Sequence, residues 1–204
     1  NSDQKKYLGG QSLGVKILYE ELEPAVDPLS SKNKIVFATG PLNGTLTPLA
    51  KGHVTVSKSP LSNAICKSSS GGMFGAEMKH TGYDYIIVEG EADKPIYLKI
   101  EDDEISFNNA EDLWGKPVFE TENLLMENLA DDINRANKRK VKVACIGPAG
   151  ENLVKFASIM NEKHNAAARG GLGAVMGSKN LKALAVRGTK DITVSDLDKL
   201  REFR

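Results

Sequence analysis

The sequence contains few cysteines, and this limits the metal and redox sites that it can build. There are two cysteines, Cys66 and Cys145, and they are too far apart for a CxxC zinc site or a readable disulfide framework. A cubane iron–sulfur cluster usually takes about four cysteine ligands. The chain therefore cannot supply such a cluster by itself, and we expect its thiols to be reduced.

The sequence also lacks an excess of either charge and lacks a long apolar run. Lys and Arg total 27, Asp and Glu total 27, and the net charge is zero. Domains that bind nucleic acid or anionic lipid carry a basic patch. The apolar stretches, such as residues 85–88, are too short to cross a bilayer, and no signal-peptide pattern is visible. We expect a cytoplasmic protein that binds neither nucleic acid nor membrane.

The size and composition are those of an ordinary globular domain. With 204 residues, 40% hydrophobic and 26% charged, the chain can bury one sizeable core or two small ones. Apolar periodicity, β-branched alternation and Gly/Pro punctuation predict mixed helices and strands without a regular βαβ order. This favours the α+β class over a doubly wound sheet.

The predicted elements follow from local patterns. We expect helices at residues 11–22, 72–79 and 117–130, and a further helix with Ser195 as its cap and Asp198 in its first turn. We expect strands at residues 34–38, 54–57, 85–88, 96–100, 104–107, 141–146, 154–159 and 184–186. The polar stretch 131–140 is interpreted as an exposed linker.

Two stretches rich in small residues are the strongest functional signal in the residues themselves. One is Ser68-Ser69-Ser70-Gly71-Gly72, and the other covers residues 165–179, where Arg169 is the single arginine. Small residues let the backbone approach a ligand closely, and bare N–H groups beside a cation suit an anion. Neither the P-loop order nor the GxGxxG fingerprint is present. Two readings remain, an anionic ligand held from two sides or glycines that only make tight turns.

The other chemically interesting residues are interpreted as structural. His53, His80 and His164 have no metal-ligand spacing and are expected to be surface or structural residues. Glu151 and Glu162 are expected to be solvated, and Trp114 is expected to anchor the core. No set of nucleophile, base and orienting group is visible. The sequence shows binding features without catalytic machinery.

Eight ordered blocks carry a family resemblance over residues 8–188. They are DPLS with NK at 27–34, ATGPLNGT at 38–45, KSPL at 58–61, SGGMFGAEMK at 70–79, GYD at 82–84, LWGK at 113–116, IGPAGENL at 146–153 and GSKNLKA at 177–183. In order and spacing they resemble the N-terminal domain of the tungsten-containing aldehyde ferredoxin oxidoreductase family.

The resemblance implies a fold, a cofactor and missing neighbours. The implied fold is an α+β, two-layered β-sheet saddle on which a tungsten bis-pterin cofactor lies, formed here by residues 1–190. Residues 191–204 would begin a linker or helix toward a following domain. Later domains of the family supply further pterin contacts, the four cysteines of the iron–sulfur cluster and the substrate pocket. Family members also carry a segment before the position of Leu8, so we expect a fragment or a split relative.

The resemblance assigns site residues position by position. The backbone carbonyls of Ser69 and Ala166 would bind a Mg²⁺ ion that bridges the pterin phosphates, because hard oxygen donors suit this ion. Gly71 matches the glycine that approaches the cofactor, and Arg169 matches the second arginine of the loop. The remaining implied cofactor-binding residues are Lys51, Gly52, Ser70, Asn165, Ala168 and Gly170.

Several of these positions depart from the family pattern. Asn165 and Gly52 stand where the family has arginines, with Lys51 beside Gly52, and Ala168 stands where it has glycine. The early Gly-Arg-Gly-Leu pattern becomes Gly-Gln-Ser-Leu at residues 10–13. A lost guanidinium removes a planar bidentate phosphate donor, which lysine replaces only as a point charge.

Three functions are compatible with these observations. The first is the cofactor-seating domain of a tungsten or molybdenum bis-pterin oxidoreductase, which converts aldehydes to acids with ferredoxin as acceptor and is inactive alone. The second is a non-catalytic binding or assembly subunit that has lost tight pterin binding, and the third is a stand-alone anion binder. An isolated domain would expose the surface that meets its neighbours, so we expect a homo-oligomer.

Overall fold

The computed structural model describes residues 2–129 and 141–202, and the side chains from residue 5 onward within those ranges. The predicted linker at 131–140 and the predicted helix end at 130 lie outside the described residues. Ten strands and seven α-helices are described.

The strands are β1 (Ile35–Ala38), β2 (His53–Lys58), β3 (Ile65–Ser70), β4 (Tyr85–Val88), β5 (Ile96–Glu101), β6 (Glu104–Asn109), β7 (Lys142–Cys145), β8 (Ile159–Asn161), β9 (Asn165–Ala167) and β10 (Leu181–Arg187). The helices are α1 (Ser2–Tyr7), α2 (Gly10–Glu21), α3 (Phe74–His80), α4 (Val118–Asn128), α5 (Pro148–Glu151), α6 (Leu172–Gly177) and α7 (Leu197–Glu202), and a 3₁₀ turn covers Glu111–Leu113.

The strands form two sheets. The first sheet has the order β3-β2-β1-β4 and is antiparallel throughout. The second sheet has the order β6-β5-β10-β7-β8-β9, in which β10 is parallel to β5 and antiparallel to β7. This arrangement confirms the predicted α+β class with two sheets.

Helix α2 covers the outer face of the first sheet because its apolar residues recur at helical spacing. Leu13, Ile17 and Leu18 are buried and pack against a cluster that includes Val36 and Val56. A Cβ added at Gly14 would lie 2.8 Å from Cγ2 of Val56. The glycine therefore lets the helix lie directly on the strand.

The largest core lies between the two sheets. Strand alternation turns Phe37 of β1 toward it, and Phe74 of α3, Met176 of α6 and Leu184 of β10 pack in the same cluster. All seven residues of β10 are buried, as expected for a strand in the middle of a covered sheet. Leu125 of α4 packs with Val143 and Ala185 on the other face of the second sheet.

A buried ion pair fixes the loop before α4 to the second sheet. The side chains of Lys182 and Glu151 are 0% and 3% exposed and form a salt bridge. Lys182 also donates to the carbonyl oxygen of Lys116 at 2.9 Å, and Glu151 accepts from the Gly115 N–H at 2.8 Å. The expectation that Glu151 is solvated is therefore wrong.

A second lysine, Lys179, is also buried. It donates from Nζ to the carbonyl oxygens of Asn33 at 2.5 Å and Gly90 at 3.0 Å. Burial lowers the pKa of Lys179 to about 8. The ammonium thus joins the segment before β1, the segment after β4 and the end of α6.

Several predicted elements differ from the observed ones. The strand expected at 154–159 begins only at Ile159, because Leu153 has φ 56° and Val154 N–H closes a turn onto Ala149 at 2.9 Å. In α7, Asp196 caps the helix by accepting from Lys199 N–H at 2.9 Å, so Ser195 is not the cap. Trp114 is only half-buried, because its neighbour Leu113 fills the core.

None of the helices within residues 2–129 and 141–202 combines the length and apolar character that a bilayer crossing requires.

Candidate functional site

The two small-residue stretches lie at the terminal strands of the two sheets, and these strands meet. Strand β3 ends the first sheet and β9 ends the second. The Oγ of Ser68 accepts from the Arg169 N–H at 3.0 Å, and the Oγ of Ser59 donates to the Gly170 carbonyl oxygen at 2.7 Å. The structure thus places side by side the two stretches that the sequence singles out. We call their junction the seam.

Residues 68–70 belong to a strand, so their description as a loop is wrong. They are polar but pair with β2 in register, Ser70 opposite His53 and Ser69 opposite Val54. Ser68 and Ser70 are buried, whereas Ser69 is exposed. Strand alternation therefore turns Ser69 outward, toward the side of the first sheet that carries α2.

The other half of the seam is the short strand β9 and the turn after it. Ala166 lies opposite Met160 in the β8–β9 pairing, and Ala168 and Arg169 are exposed. A Cβ added at Gly71 would lie 2.8 Å from Oδ1 of Asn165. The Asn165 side chain therefore turns back over the serine strand, and Gly71 leaves room for it.

Part of the implied site lines an open depression of about 340 Å³ beside the first turn of α2. Lys51, Gly52, Ser69 and Ser70 line it together with Gln11. The other implied residues do not line it but continue along the seam; they are Gly71, Asn165, Ala166, Ala168, Arg169 and Gly170. The structure thus divides the implied residues between a depression and an adjoining seam.

Gly52 has no room for a side chain. A Cβ there would lie well inside van der Waals contact with the carbonyl oxygen of Ser70, and a Cβ at Gly75 would meet the carbonyl oxygen of Gly52 in the same way. The Gly52 carbonyl also accepts from Nδ2 of Asn43. Any side chain at this position would require the end of β3 to move.

Two exposed cations, Lys51 beside the depression and Arg169 on the seam, suit an anionic ligand. We call them the rim cations. Lys51 and Arg169 are both exposed, and neither forms an ion pair with a residue that the structure describes. Unpaired cations beside close-approaching backbone are typical of sites for phosphorylated ligands. Clusters of three His, Cys, Asp or Glu side chains that could hold a metal are absent from the described ranges.

Buried groups near the seam are not poised for catalysis. His53 packs between the rings of Phe37 and Phe74, with centroids 6.2 and 4.9 Å away, and burial lowers its pKa to about 4. Burial likewise raises the pKa of the Cys145 thiol to about 12. His53 is therefore neutral at pH 7 and Cys145 is no thiolate nucleophile; the structural interpretation of His53 holds, since its side chain is part of the core.

Sequence reasoning missed the residues that hold the seam together. Asn161 and Glu162 bond across it, and Glu122 of α4 accepts from the Lys163 N–H at 2.9 Å. Burial raises the pKa of Glu122. The side chain of Glu162 is only 22% exposed, so the expectation that it is solvated is wrong. The sequence Asn-Glu-Lys at residues 161–163 does not indicate that Glu162 bonds across the seam, or that Glu122 of α4 bonds to the backbone of this turn.

Comparison with known proteins identifies the family of this arrangement. The sequence matches the family described as aldehyde ferredoxin oxidoreductase, N-terminal domain, over residues 1–188. The chain belongs to this family. The tungsten-containing aldehyde ferredoxin oxidoreductase of Pyrococcus furiosus is 51% identical over 195 residues, which are 96% of this chain and 31% of that protein. The resemblance stated from the sequence blocks is confirmed.

Relatives with other names share the domain. The aliphatic sulfonate oxidoreductase, WOR-like subunit, of Pyrococcus furiosus is 41% identical and is matched over 98% of this chain and 34% of its own length. Among solved structures, the active site complex BamBC of benzoyl coenzyme A reductase, in complex with 1,5-dienoyl-CoA, superimposes with a TM-score of 0.88 at 39% identity. That match covers 95% of this chain and 28% of the other.

The domain is therefore shared by proteins that are named for different substrates. This chain spans about a third of the length of the relatives that it matches.

Proposed function

We propose that the chain is the cofactor-seating N-terminal domain of a tungsten or molybdenum bis-pterin oxidoreductase. Within a complete enzyme, the metal–pterin unit would supply the two-electron oxidation of an aldehyde to a carboxylic acid. The observation that supports this most is the seam, where two small-residue strands from different sheets meet beside unpaired cations. Membership of the family, with tungsten-containing aldehyde ferredoxin oxidoreductases among the relatives, supports the identity of the cofactor.

The residues of the seam fit a phosphorylated cofactor with Mg²⁺. Ser69 and Ala166 belong to the terminal strands of the two sheets, and their carbonyl oxygens are donors of the hard type that Mg²⁺ prefers. Gly71 matches the glycine that would approach the pterin. Lys51 and Arg169 would neutralise phosphate charge, and Gly52, Ser70, Asn165, Ala168 and Gly170 would complete the surface around it.

The seat is weaker than in relatives with both arginines. Asn165 and Gly52 supply no guanidinium, and a hydrogen bond to a charged group contributes roughly 1.5–3 kcal/mol. Binding then depends more on backbone oxygens and on contacts from the rest of the enzyme. We infer that residues 1–190 form the seating domain and that residues 191–204, which contain α7, lead toward the next domain.

The activity would need parts that this stretch of sequence does not contain. The iron–sulfur cluster, the substrate pocket and the path of electrons to ferredoxin are assigned to following domains or to a partner subunit. Leu42, Leu46 and Leu49 are 53%, 40% and 90% exposed. These leucines support contact with such a neighbour or with a second copy of the chain, because exposed apolar patches favour association.

An alternative is a non-catalytic assembly subunit that retains the fold. The observation in its favour is the closure of two cofactor positions. Gly52 has no room for a side chain, and Asn165 turns back onto Gly71 instead of outward. Such a subunit would meet the same neighbours without holding a pterin tightly.

Metal and pterin analysis of the protein as it occurs in its source cells separates the two functions. The protein should be isolated with everything to which it is joined, and tungsten, molybdenum, Mg²⁺ and pterin should be measured per chain. The proposal expects about one metal and two pterins per chain, as a bis-pterin centre requires. If the isolated protein contained neither pterin nor tungsten or molybdenum, the proposal would be overturned in favour of the assembly subunit.

The rim cations provide a second test. In Lys51→Ala and Arg169→Ala variants of the complete protein, pterin retention during dialysis should fall about tenfold for each lost charge-assisted contact. The loss should be larger at high salt, because salt screens the remaining charges. Lys94→Ala is the matched control, since Lys94 is exposed and pairs with Glu111 away from the seam. Equal retention in all three variants would contradict a role for the rim cations.

A further inference from the structure

We propose that Asn161 and Glu162 form a clamp across the seam that positions the two strands on which the cofactor is seated. The inference rests on the proposed function and names positioning residues for the same site. Both residues lie in or beside the β8–β9 turn of the second sheet, and their polar atoms bond to the first sheet and to the start of α3.

Asn161 uses both ends of its amide on the first sheet. It is 1% exposed, its Oδ1 accepts from Oγ of Ser70 at 2.5 Å, and its Nδ2 donates to the carbonyl oxygen of Gly71 at 3.0 Å. One side chain of the second sheet therefore fixes both the side chain and the backbone at the end of β3. A buried amide with both ends satisfied has a single favourable position.

Glu162 extends the clamp to the start of α3. Its Oε2 accepts from the Met73 N–H at 2.6 Å, and its Oε1 accepts from Nζ of Lys142 in β7 at 2.6 Å. The carboxylate thus joins the helix start to the second sheet with two charge-assisted hydrogen bonds, which are the strong kind.

The backbone of the turn is strained to place these side chains. Glu162 and Lys163 have φ 47° and 63°, a left-handed conformation that is unfavourable for a non-glycine residue. The Glu122 carboxylate holds the strained turn through the Lys163 N–H. Because glycine would relieve this strain, side chains at these positions point to a use for them.

The clamp is adjacent to both proposed Mg²⁺ ligands. Ser70, which it holds, follows Ser69, and Asn165, which lies opposite Asn161 in the β8–β9 pairing, precedes Ala166. Each carbonyl group thus belongs to the chain neighbour of a residue that Asn161 either bonds or pairs with. The spacing between the two sheets at this point is then set by hydrogen-bond lengths, which tolerate less variation than apolar contacts.

Substitutions at positions 161 and 162 remove the hydrogen bonds of the clamp singly or in pairs. Glu162→Gln keeps an oxygen for the Met73 N–H but loses the charge that pairs with Lys142, whereas Glu162→Ala removes both bonds. Asn161→Ala removes the bonds to Ser70 and Gly71, and Asn161→Asp keeps the acceptor and loses the donor. Glu127→Gln is the matched control, since Glu127 is exposed on α4.

The experiment uses the complete native protein and has two readouts. Amide hydrogen exchange of residues 68–73 reports whether a change in the second sheet loosens the first. Pterin and Mg²⁺ per chain after dialysis report whether the loosening reaches the seat. We expect Asn161→Ala and Glu162→Ala to accelerate exchange at residues 68–73 at least tenfold and to release Mg²⁺ and pterin about tenfold faster. Glu162→Gln should retain most of both, and Glu127→Gln should match the wild type.

The outcomes distinguish failure of the clamp from failure of the proposed function. If the wild type carries pterin and the alanine variants keep it with unchanged exchange, the clamp is wrong and the function stands. If faster exchange leaves retention unchanged, the contacts are only structural and the positioning role is overturned. If the wild type carries no pterin, the proposed function fails and the positioning role fails with it. Where the alanine variants do not fold, Asn161→Asp replaces them: it loses the donor to the Gly71 carbonyl oxygen, so it should accelerate exchange at residues 68–73 and release pterin faster than Glu162→Gln does. Equal behaviour of these two variants would overturn the clamp.

Discussion

Alanine at Gly72 should destabilise the protein far more than alanine at Gly90, although the two glycines have nearly the same backbone. Their φ values are 80° and 77°, so either substitution places an L-residue in the left-handed region, at roughly 1–2 kcal/mol. The surroundings differ. A Cβ at Gly90 would meet nothing within 4 Å, whereas at Gly72 it would overlap Oε2 of Glu162 and lie 2.7 Å from Nδ2 of Asn161.

The extra cost at Gly72 follows from the bonds that must break. Moving Glu162 away releases its bond to the Met73 N–H, and a hydrogen bond to a charged group contributes about 1.5–3 kcal/mol. We expect Gly90→Ala to lose about 1–2 kcal/mol and Gly72→Ala about 3–5 kcal/mol. Urea unfolding at pH 7 measures the difference directly, provided that the slope with urea is the same in both variants.

A second substitution tests the cause. In a Glu162→Ala background the closest of three overlapping atoms is gone, while Nδ2 of Asn161 and Nδ2 of Asn165 remain 2.7 and 2.8 Å from the added Cβ. Gly72→Ala should therefore cost clearly less in that background than in the wild type. Non-additivity of this kind is what a double-mutant cycle detects. Equal destabilisation by Gly72→Ala and Gly90→Ala in the wild-type background would refute the reasoning. The positive φ that both glycines share would then account for the whole loss of stability.

Further predictions concern three buried groups. Lys182→Met should cost about 3–5 kcal/mol in urea unfolding because it leaves Glu151 buried without its partner, while Lys182→Met with Glu151→Leu should cost clearly less; a double variant as unstable as the single would contradict this. Because burial lowers the pKa of His53 to about 4 and its unfolded value is about 6.5, its contribution of about 3 kcal/mol is present above pH 6.5 and lost as the pH falls toward 4. His53→Leu should remove that part of the pH dependence between pH 7 and pH 4.5, and an unchanged difference would show that other groups carry it. Lys179→Met should lower the free energy of unfolding by about 1–3 kcal/mol, because it leaves buried carbonyl oxygens without their donor; Lys94→Met is the exposed control and should have no measurable effect.

The sequence predicts well those strands whose own residues prefer the strand conformation. The strands at residues 35–38, 53–58 and 96–101 are rich in β-branched or aromatic residues. Local preference and tertiary packing agree in these segments. Their existence was predicted, and no end of these three strands differs from the prediction by more than one residue.

The two seam strands could not be predicted in this way. Strand β3 contains lysine and three serines, and β9 is Asn-Ala-Ala, a composition with low preference for strands. They are strands because β2 and β8 supply hydrogen-bond partners and because the sheets meet there. Tertiary context outweighs local preference, and a single sequence does not display it.

The sequence singles out the two stretches that meet at the seam, but it does not predict the side-chain contacts that join them. Small residues around Gly71 and Arg169 indicate close backbone approach, and the family blocks pair the two stretches. The contacts of Asn161 and Glu162 could not be predicted from the sequence, because a short polar segment is typical of a solvent-exposed turn. Only the position of the neighbouring sheet shows that these side chains have partners.

The position of β10 determines when the domain can fold during synthesis. This strand, which completes the second sheet from its middle, leaves the ribosome after the nine other strands that the structure describes. At about 5–20 residues per second, roughly 4–16 s pass between the emergence of β5 and that of its parallel neighbour. The first sheet can assemble during this time, whereas β5 and β7 wait as exposed apolar edges. Premature termination before Leu181 would therefore release a chain with two incomplete half-sheets, a substrate for chaperones and proteases rather than a smaller functional domain.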